Sequence, residues 1–403
     1  MNPAQASRGP ARGQGLCEAA VAVDHALARM DARVDWLSHL TPRNVSEIWE
    51  GFEASGYRAM PDCRFGDGLG EDAPGLRAQL FALPVDEVAH PLVQALLLEK
   101  QREIDRQIEL VEMRGKDGFI LASMDLFGHA DEHLVTAAGE VLDSVPVLPA
   151  DDCDAGAEQV VDAACAEIAR LRERHPDFAS TVLCDPHPGV SLYVSKGHLH
   201  VASDFTAPAA RVDPLIQHEI GTHAVSHHNG RRQPLQVLAS GLAGYDELQE
   251  GLGVLAEYLA GYLPAVRLRT LAARVIAADM AAREAPGPDI FACLLEDHAL
   301  PQATAFDTTL RAKRGGGLTK DALYLKGLGE LLGHLARGGG IDVLMLGKFA
   351  LRHFHTIERL LEEGVLVPPE ILPAFCTREG AQQRLAEARG TPLHALYQER
   401  PAA

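Results

Sequence analysis

The chain has 403 residues, of which 47% are hydrophobic and 23% charged, so it can form a sizeable globular core. Its formal net charge is −19, which argues against nucleic acid and anionic membranes as partners, because both bind basic surfaces. No apolar run reaches the length of a membrane span, and the seven scattered cysteines form no CxxC pair. We therefore expect a cytoplasmic protein with reduced thiols and no secretory signal, and its Ala-, Arg- and Gly-rich composition is typical of bacteria.

The first part of the chain predicts helices behind a short tail. Residues 1–20 are rich in small residues, proline and arginine, and they predict a flexible N-terminal tail. Residues 21–403 predict a single domain whose N-terminal part, to about residue 150, is helical. Amphipathic patterns predict helices over residues 85–113 and 156–175.

The residue pattern changes at Asp177. The stretch STVLCDPHPGVSLYVSKGHLHVASDF is rich in β-branched residues and contains a Lys196-Gly197 turn, which predicts two or three short strands with a hairpin. The chain turns helical again after Asp213. The predicted fold class is therefore α+β, mainly helical, with a small antiparallel sheet next to the helix that follows.

That next helix contains an unusual histidine cluster. The segment from Ile216 to Gly230, IQHEIGTHAVSHHNG, holds four histidines and a glutamate. Asp213 is a favoured N-cap, Pro214 suits the first helical position, and Asn229-Gly230 is a typical helix stop. These signals predict a helix over residues 214–228.

The spacing of the first two histidines conflicts with a regular helix. His218 and His223 form an HExxxH pattern, one residue longer than the HExxH of zinc peptidases. Residues five apart differ by ~140° around an α-helix, so these two cannot bind one zinc ion unless the helix is locally widened. A π-bulge aligns positions i and i+5, and Gly221 between the histidines would ease such a distortion.

Two other interpretations of the cluster stay open at this point. Glu219, His223 and His227 are spaced four apart and form a stripe that needs no distortion, but this set would use Glu219 as a ligand and leave no general base. Alternatively, the histidines are surface or capping residues near a helix C-terminus, where protonated histidine is favoured.

A second acidic helix is predicted over GYDELQEGLGVLAEYLAG, residues 244–261. Glu250 and Glu257 lie two turns apart on one face of it, and a glutamate from a later helix completes the His2Glu set of catalytic zinc sites. Gly251 and Gly253 predict that something packs close to this helix backbone. Glu257 is otherwise expected to be a solvated residue of an amphipathic helix.

The combination of HEIGTH and a helix carrying QEGL resembles the microtubule-associated tyrosine carboxypeptidase family, whose bacterial members are labelled flavohemoglobin expression-modulating QEGLA motif proteins. Three further blocks are similar to family segments: LTPRNVSEIWEGF near residue 40, RGGGLTKDALYLKG at 314–327, and the later GKFALRHFHTIERLLEEG. The resemblance covers most of residues 30–375. One departure is Gly253, which stands where QEGLA has alanine.

The resemblance implies a zincin-like zinc metallopeptidase that releases C-terminal residues from peptides or proteins. By that resemblance His218, His223 and Glu250 bind Zn²⁺, and Glu219 is the catalytic base. The metal site would lie within residues 177–330.

Two further roles are assigned as hypotheses. Tyr324, in the TKDALYLKG block, is the candidate donor to the oxyanion. Arg314 is the candidate cation for the substrate's terminal carboxylate, because arginine binds carboxylate bidentately; Lys326 and Lys196 are alternatives. The net charge of −19 favours a short or weakly charged peptide over a strongly acidic tail.

Two other functions remain as alternatives, a zinc endopeptidase and a non-catalytic zinc-binding regulator. Glu219 favours catalysis, because a purely structural zinc site is closed by four protein ligands and needs no base.

Overall fold

The computed structural model describes residues 15–70, 72–149, 151–185 and 192–400. This part of the chain is mainly helical with a few short strands, as predicted. Residues 1–14 of the predicted tail lie outside it.

The elements in chain order are α1 (Glu18–Val34), α2 (Trp36–His39), α3 (Val45–Ala54), α4 (Asp72–Phe81), α5 (Pro91–Glu112), α6 (Phe119–Phe127), α7 (Glu132–Ser144), β1 (Ala155–Gly156), α8 (Ala157–Arg174), β2 (Val182–Asp185), β3 (Leu192–Ser195), β4 (His198–Ala202), β5 (Thr206–Ala207), α9 (Ala209–Ile216), a π-helical segment (Gln217–Ala224), α10 (Val225–Arg231), α11 (Val237–Ser240), α12 (Tyr245–Ala260), α13 (Ala265–Ala282), α14 (Gly287–Ala292), a second π-helical turn (Cys293–Asp297), α15 (Gln302–Lys313), α16 (Leu323–Ala336), α17 (Phe354–Glu362), α18 (Ala374–Thr377) and α19 (Ala381–Ala388).

The long helix α5 connects the N-terminal helices to the start of α12. Lys100, on α5, is fully buried, and its Nζ lies 2.7 Å from a carboxylate oxygen of Asp31 and 2.7 Å from one of Glu103. The other oxygen of Glu103 accepts a hydrogen bond of 2.6 Å from the backbone N–H of Gly244, the residue before α12. Because a buried charge is stable only when it is paired, this group fixes α12 against the N-terminal helices.

The small sheet has three strands in the order β2-β4-β3. The predicted β3–β4 hairpin is confirmed, and its turn residues Lys196 and Gly197 have positive φ values of 50° and 81°, as a tight hairpin turn requires. The prediction of a purely antiparallel sheet is wrong, because β2 pairs with β4 in parallel. Strands β2 and β3 do run in opposite directions, but β4 lies between them. A separate two-stranded pair, β1 with β5, is antiparallel.

The histidine segment lies in one long helical rod formed by α9, the π-helical segment and α10. The rod begins at Ala209, after Pro208, and not at the predicted Asp213 cap. It also continues through Asn229 to Arg231 instead of stopping there. Asn229 ends no helix, because its buried amide donates to the carbonyls of Met345 and Ile371 and its oxygen accepts from the Ile371 N–H.

Helices α12 and α16 cross at two glycines. A Cβ on Gly251 would lie 2.5 Å from the carbonyl carbon of Gly327, and a Cβ on Gly327 would lie 1.9 Å from the carbonyl oxygen of Glu247. Both distances are shorter than any real contact, so only glycine permits this approach. The close packing that was predicted at Gly251 is confirmed.

One cluster of buried apolar side chains extends from Ala20 in α1 to Leu396 near the end of the described chain. It includes residues of the N-terminal helices as well as those around the histidine rod and α12. None of the described helices is long and apolar enough to cross a membrane. All seven cysteines are unpaired thiols.

The helix crossing predicts opposite effects for two substitutions on α16. Gly329→Ala should stabilise the protein by about 0.5–1 kcal/mol, because an added Cβ meets nothing within 4 Å and alanine is the better helix former. Gly327→Ala should destabilise it by roughly 1–3 kcal/mol, because the backbone of α12 must move. Urea unfolding of the two variants and the wild type measures the difference, and equal stabilities would contradict the crossing.

Candidate metal centre

The π-helical segment brings the first two histidines of the cluster together. Gln217–Ala224 has π-helical backbone, so the widening predicted between His218 and His223 is confirmed. The two imidazole centroids lie 5.0 Å apart. In a π-helix, positions i and i+5 are roughly in line, which is why both rings can face one point.

Glu250 of α12 completes a group of three possible metal ligands. Its Oε2 lies 3.7 Å from His218 Nε2 and 3.8 Å from His223 Nε2, and the three ligand atoms all lie within 4.8 Å of one another. This oxygen is buried and accepts no hydrogen bond. An unpartnered carboxylate oxygen facing two imidazole nitrogens fits a cation, and a His2Glu set leaves a coordination position open, as catalytic zinc sites require.

The alternative ligand set, Glu219, His223 and His227, does not converge on one point. The Nδ1 of His227 lies 3.1 Å from the Ala239 carbonyl, and the hairpin turn at Gly197 packs against the other side of the ring. Across the described ranges, His218, His223 and Glu250 are the one set of three possible ligands that converge.

A buried carboxylate orients the His218 ring. Glu257 Oε1 lies 2.9 Å from His218 Nδ1, so the ring presents Nε2 to Glu250. Glu257 is fully buried and forms ion pairs with Arg211 at 2.5 Å and Arg267 at 3.1 Å. Burial alone would raise the pKa of Glu257, but the two arginines outweigh it and keep the group ionised. The expectation that Glu257 is solvated is therefore wrong.

The protonation of the two histidines is set by their neighbours. Burial lowers the pKa of His223 to about 3, which keeps this ring neutral, and its Nδ1 lies 3.3 Å from the Gln249 side-chain oxygen. Burial also opposes protonation of His218, but the carboxylates of Glu250 and Glu257 outweigh it and raise the pKa to about 10. Because metal binding requires a neutral imidazole, a cation that bound here would displace the His218 proton.

Lys320 supports Glu250, the third possible ligand. Its Nζ lies 3.4 Å from Glu250 Oε1 and 3.2 Å from a carboxylate oxygen of Asp246. Burial raises the pKa of Glu250, but Lys320 and the two histidines lower it well below its usual range. Lys320 therefore keeps the glutamate ionised and leaves its other oxygen for a metal. Sequence reasoning missed Lys320, although it lies in the quoted TKDALYLKG block.

Glu219 lies next to this group, and its carboxylate is not held by another described side chain. Its side chain is buried, and it forms no hydrogen bond or ion pair with any described residue. Burial raises its pKa to about 7. A carboxylate with that pKa can both accept and return a proton near neutral pH.

Tyr324 lies on the Lys320 side of the group. Its ring centroid is 5.7 Å from Lys320 Nζ and 5.0 Å from the guanidinium carbon of Arg274. Burial raises the pKa of Tyr324 to about 12, so the hydroxyl stays protonated, and it makes no hydrogen bond with a described residue.

The three candidate cations have different surroundings. Arg314 is 6% exposed and has no ion pair with a described acid. Lys326 is paired with Glu247 at 2.6 Å, and Lys196 is exposed on the hairpin turn. None of the three contacts the ligand group directly. Arg314 is therefore the one of the three that is buried and still without an acidic partner.

Gly253 lies directly beside His218, the first possible ligand. A Cβ at this position would lie 2.5 Å from Cε1 of His218. The departure from QEGLA thus leaves room for the imidazole in the position that it occupies here.

Comparison with known proteins agrees with these motifs. The model of the family described as microtubule-associated tyrosine carboxypeptidase matches residues 50–391, which is most of the chain. No curated protein matches it. The chain belongs to the microtubule-associated tyrosine carboxypeptidase family.

The converging ligands predict which histidines are needed for metal. His218→Ala should abolish stoichiometric zinc binding, because it removes one of three ligand atoms, whereas His227→Ala should retain it. Zinc content of the purified variants, measured by plasma emission spectrometry, checks this. The reverse pattern would establish the rival stripe.

The Glu257–His218 contact predicts a change in affinity without a change of ligand. Glu257→Gln should weaken zinc binding by roughly 10- to 100-fold, because the imidazole loses the carboxylate that orients it. Glu247→Gln, the same substitution on the same helix but paired with Lys326, is the matched control and should bind zinc like the wild type. Competition with a chromophoric chelator gives both dissociation constants, and equal values would show that Glu257 is not a support of the metal site.

Proposed function

We propose that this member of the microtubule-associated tyrosine carboxypeptidase family is a zinc-dependent carboxypeptidase with a zincin-like site, acting on the C-terminus of a peptide or protein. The observation that carries the proposal is that the buried Oε2 of Glu250 accepts no hydrogen bond and faces His218 and His223 of the widened helix. The carboxylate of Glu219 lies beside them and forms no hydrogen bond or ion pair with a described residue. The family's description supplies the direction of cleavage.

His218, His223 and Glu250 would hold the zinc ion through two nitrogens and one oxygen. When bound in such a site, zinc lowers the pKa of water and polarises the scissile carbonyl. Lys320 keeps Glu250 ionised, and Glu257 fixes the His218 ring. The protein thus contributes three ligands whose orientation is set before the metal arrives.

Glu219 is the general base of the proposed reaction. Its carboxylate takes a proton from the attacking water and returns it to the leaving amine, which its raised pKa favours. Tyr324 donates a hydrogen bond to the oxyanion, because its hydroxyl is protonated and has no partner in the described protein.

A carboxypeptidase also needs a cation for the terminal carboxylate of its substrate. Arg314 remains the candidate from the sequence, and Arg274, next to the Tyr324 ring, is a half-buried arginine whose buried Nε has no hydrogen-bond partner in the described protein. Either guanidinium can bind a carboxylate bidentately.

One observation favours the endopeptidase alternative. Strand β3 lies at the edge of the three-stranded sheet, which packs near the histidine rod through the β3–β4 turn. An edge strand can pair with an extended peptide and so present an internal bond to the metal.

The proposed base gives the first prediction on activity. Glu219→Gln should retain zinc and thermal stability but lose peptide hydrolysis by several orders of magnitude, because an amide cannot accept the water proton. Mass spectrometry of a digested peptide library measures activity, with zinc content as the control. If zinc-loaded wild type cleaves nothing in a broad library, the non-catalytic regulator replaces the proposal.

The direction of cleavage gives a second prediction. The wild type should cleave a peptide with a free C-terminus and leave its C-terminally amidated twin almost intact, because the amide cannot pair with a buried guanidinium. The loss corresponds to roughly 2–5 kcal/mol for a desolvated pair. Equal cleavage of acid and amide would favour the endopeptidase.

A further inference from the structure

The histidine rod is anchored on both sides of its widened part. Before the π-helical segment, Ile216 at the end of α9 is buried in the apolar core. After it, the Asn229 side chain is bonded to backbone groups of Met345 and Ile371. An α-helix turns by ~100° per residue, so removing the widening would rotate one anchored end against the other. The extra residue must therefore be accommodated between these two ends.

Anchored ends fix the number of residues in the rod, but they do not fix the place of the widening. A wide turn closer to either end would connect the same anchors. Only a widening between His218 and His223 aligns positions i and i+5 at the two imidazoles. An unfavourable backbone conformation persists where the surrounding structure enforces it, so a contact at this place must favour the wide turn.

Phe375 of α18 makes such a contact at Gly221. A Cβ on Gly221 would lie 3.2 Å from Cδ1 and 3.4 Å from Cε1 of the Phe375 ring, and 2.9 Å from Gln217 Oε1. Phe375 and Gln217 are fully buried, and Gly221 is buried as well. The aromatic ring therefore lies against the backbone of the wide turn, in space that a side chain at position 221 would need.

Helix α18 is itself attached to the region around the rod. Arg378, the residue after this helix, lies 2.6 Å from a carboxylate oxygen of Asp213 in α9 and 3.8 Å from one of Glu167 in α8. Within the wide turn, Thr222 Oγ1 donates a hydrogen bond of 3.2 Å to the carbonyl of Gln217, five residues earlier. The Phe375 ring is thus held at a fixed place along the rod, beside a turn that is bonded across the longer interval.

We propose that Phe375 is a positioning residue of the metal centre, whose ring on Gly221 holds the widening between His218 and His223. The inference rests on the proposed zinc-dependent function and goes beyond it, because α18 carries none of the candidate ligands. Without the ring, the extra residue can be accommodated elsewhere between the anchored ends. The two imidazoles then no longer face the same cation.

Zinc dissociation constants, measured by competition with a chromophoric chelator, test this role. Phe375→Ala should weaken zinc binding by roughly 10-fold or more, as expected when a group that orients a ligand is lost. Phe291→Ala is the matched control, because that ring is also buried but packs on Phe52 and Tyr57. The control should lose a similar amount of stability to urea and bind zinc like the wild type. If Phe375→Ala does not fold, Phe375→Leu should show the same loss of affinity to a smaller degree.

The visible spectrum of the cobalt-substituted protein gives a readout that a loss of stability alone does not change. The d–d absorption of Co²⁺ depends on the number and geometry of its ligands. Phe375→Ala should therefore change the position and intensity of these bands, whereas Phe291→Ala should leave them as in the wild type.

A double substitution tests the contact between the ring and the glycine. Gly221→Ala should weaken zinc binding, because its Cβ meets the Phe375 ring. If both residues act through this one contact, Gly221→Ala combined with Phe375→Ala should weaken binding by less than the product of the two single effects. Effects that multiply would contradict a shared contact and overturn the proposal.

The remaining outcomes separate this proposal from the proposed function. Wild-type zinc affinity and cobalt spectrum in Phe375→Ala overturn the positioning role and leave the zinc-dependent function standing. Equal losses of affinity in Phe375→Ala and Phe291→Ala also overturn it, because they reflect stability alone. A wild type that binds zinc but cleaves no peptide overturns only the carboxypeptidase, since none of these measurements needs turnover. A wild type that binds no zinc overturns both.

Discussion

The structure around the candidate metal centre depends on keeping Glu250 ionised in a place that water barely reaches. A buried carboxylate tends to become neutral, and a neutral one is a poor metal ligand. Here Lys320 holds one oxygen, and the two histidines face the other. Glu257, which contacts His218 from the side away from Glu250, is also a buried carboxylate that must stay ionised. Arg211 and Arg267 keep it charged, so that it can orient His218. Two layers of paired charges thus orient the three candidate ligand atoms.

Helix α12 carries both of these glutamates, so its placement decides the geometry of the site. Its start is bound by Glu103, which belongs to the buried Lys100–Asp31 group of the N-terminal helices. Its middle crosses α16 where Gly251 meets Gly327. The N-terminal helices therefore help to position the candidate ligands, although they contribute none of the three. Many residues outside the site are thus needed to hold α12 in place.

The sequence allows some of these features to be predicted and not others, for physical reasons. The widened helix follows from the His218–His223 spacing, because a regular helix cannot bring those rings together. The direction of β2 could not be predicted, because strand order depends on contacts across the whole fold. The helix end at Asn229 was misplaced because its side chain bonds to carbonyls more than a hundred residues away. Glu257 was underestimated because its arginine partners come from two other helices.

The π-helical segment has an evolutionary consequence. A regular α-helix aligns positions i and i+4, whereas the π-helical segment aligns positions i and i+5. The two therefore differ by one extra residue between the aligned positions. A single inserted codon therefore separates HExxxH from HExxH, provided that the surrounding packing accommodates a locally wider helix. Descent with such an insertion would leave the chemistry in place while it shifts every later residue of the rod by one position. A search that relies on fixed motif spacing would then classify two related helices as unrelated.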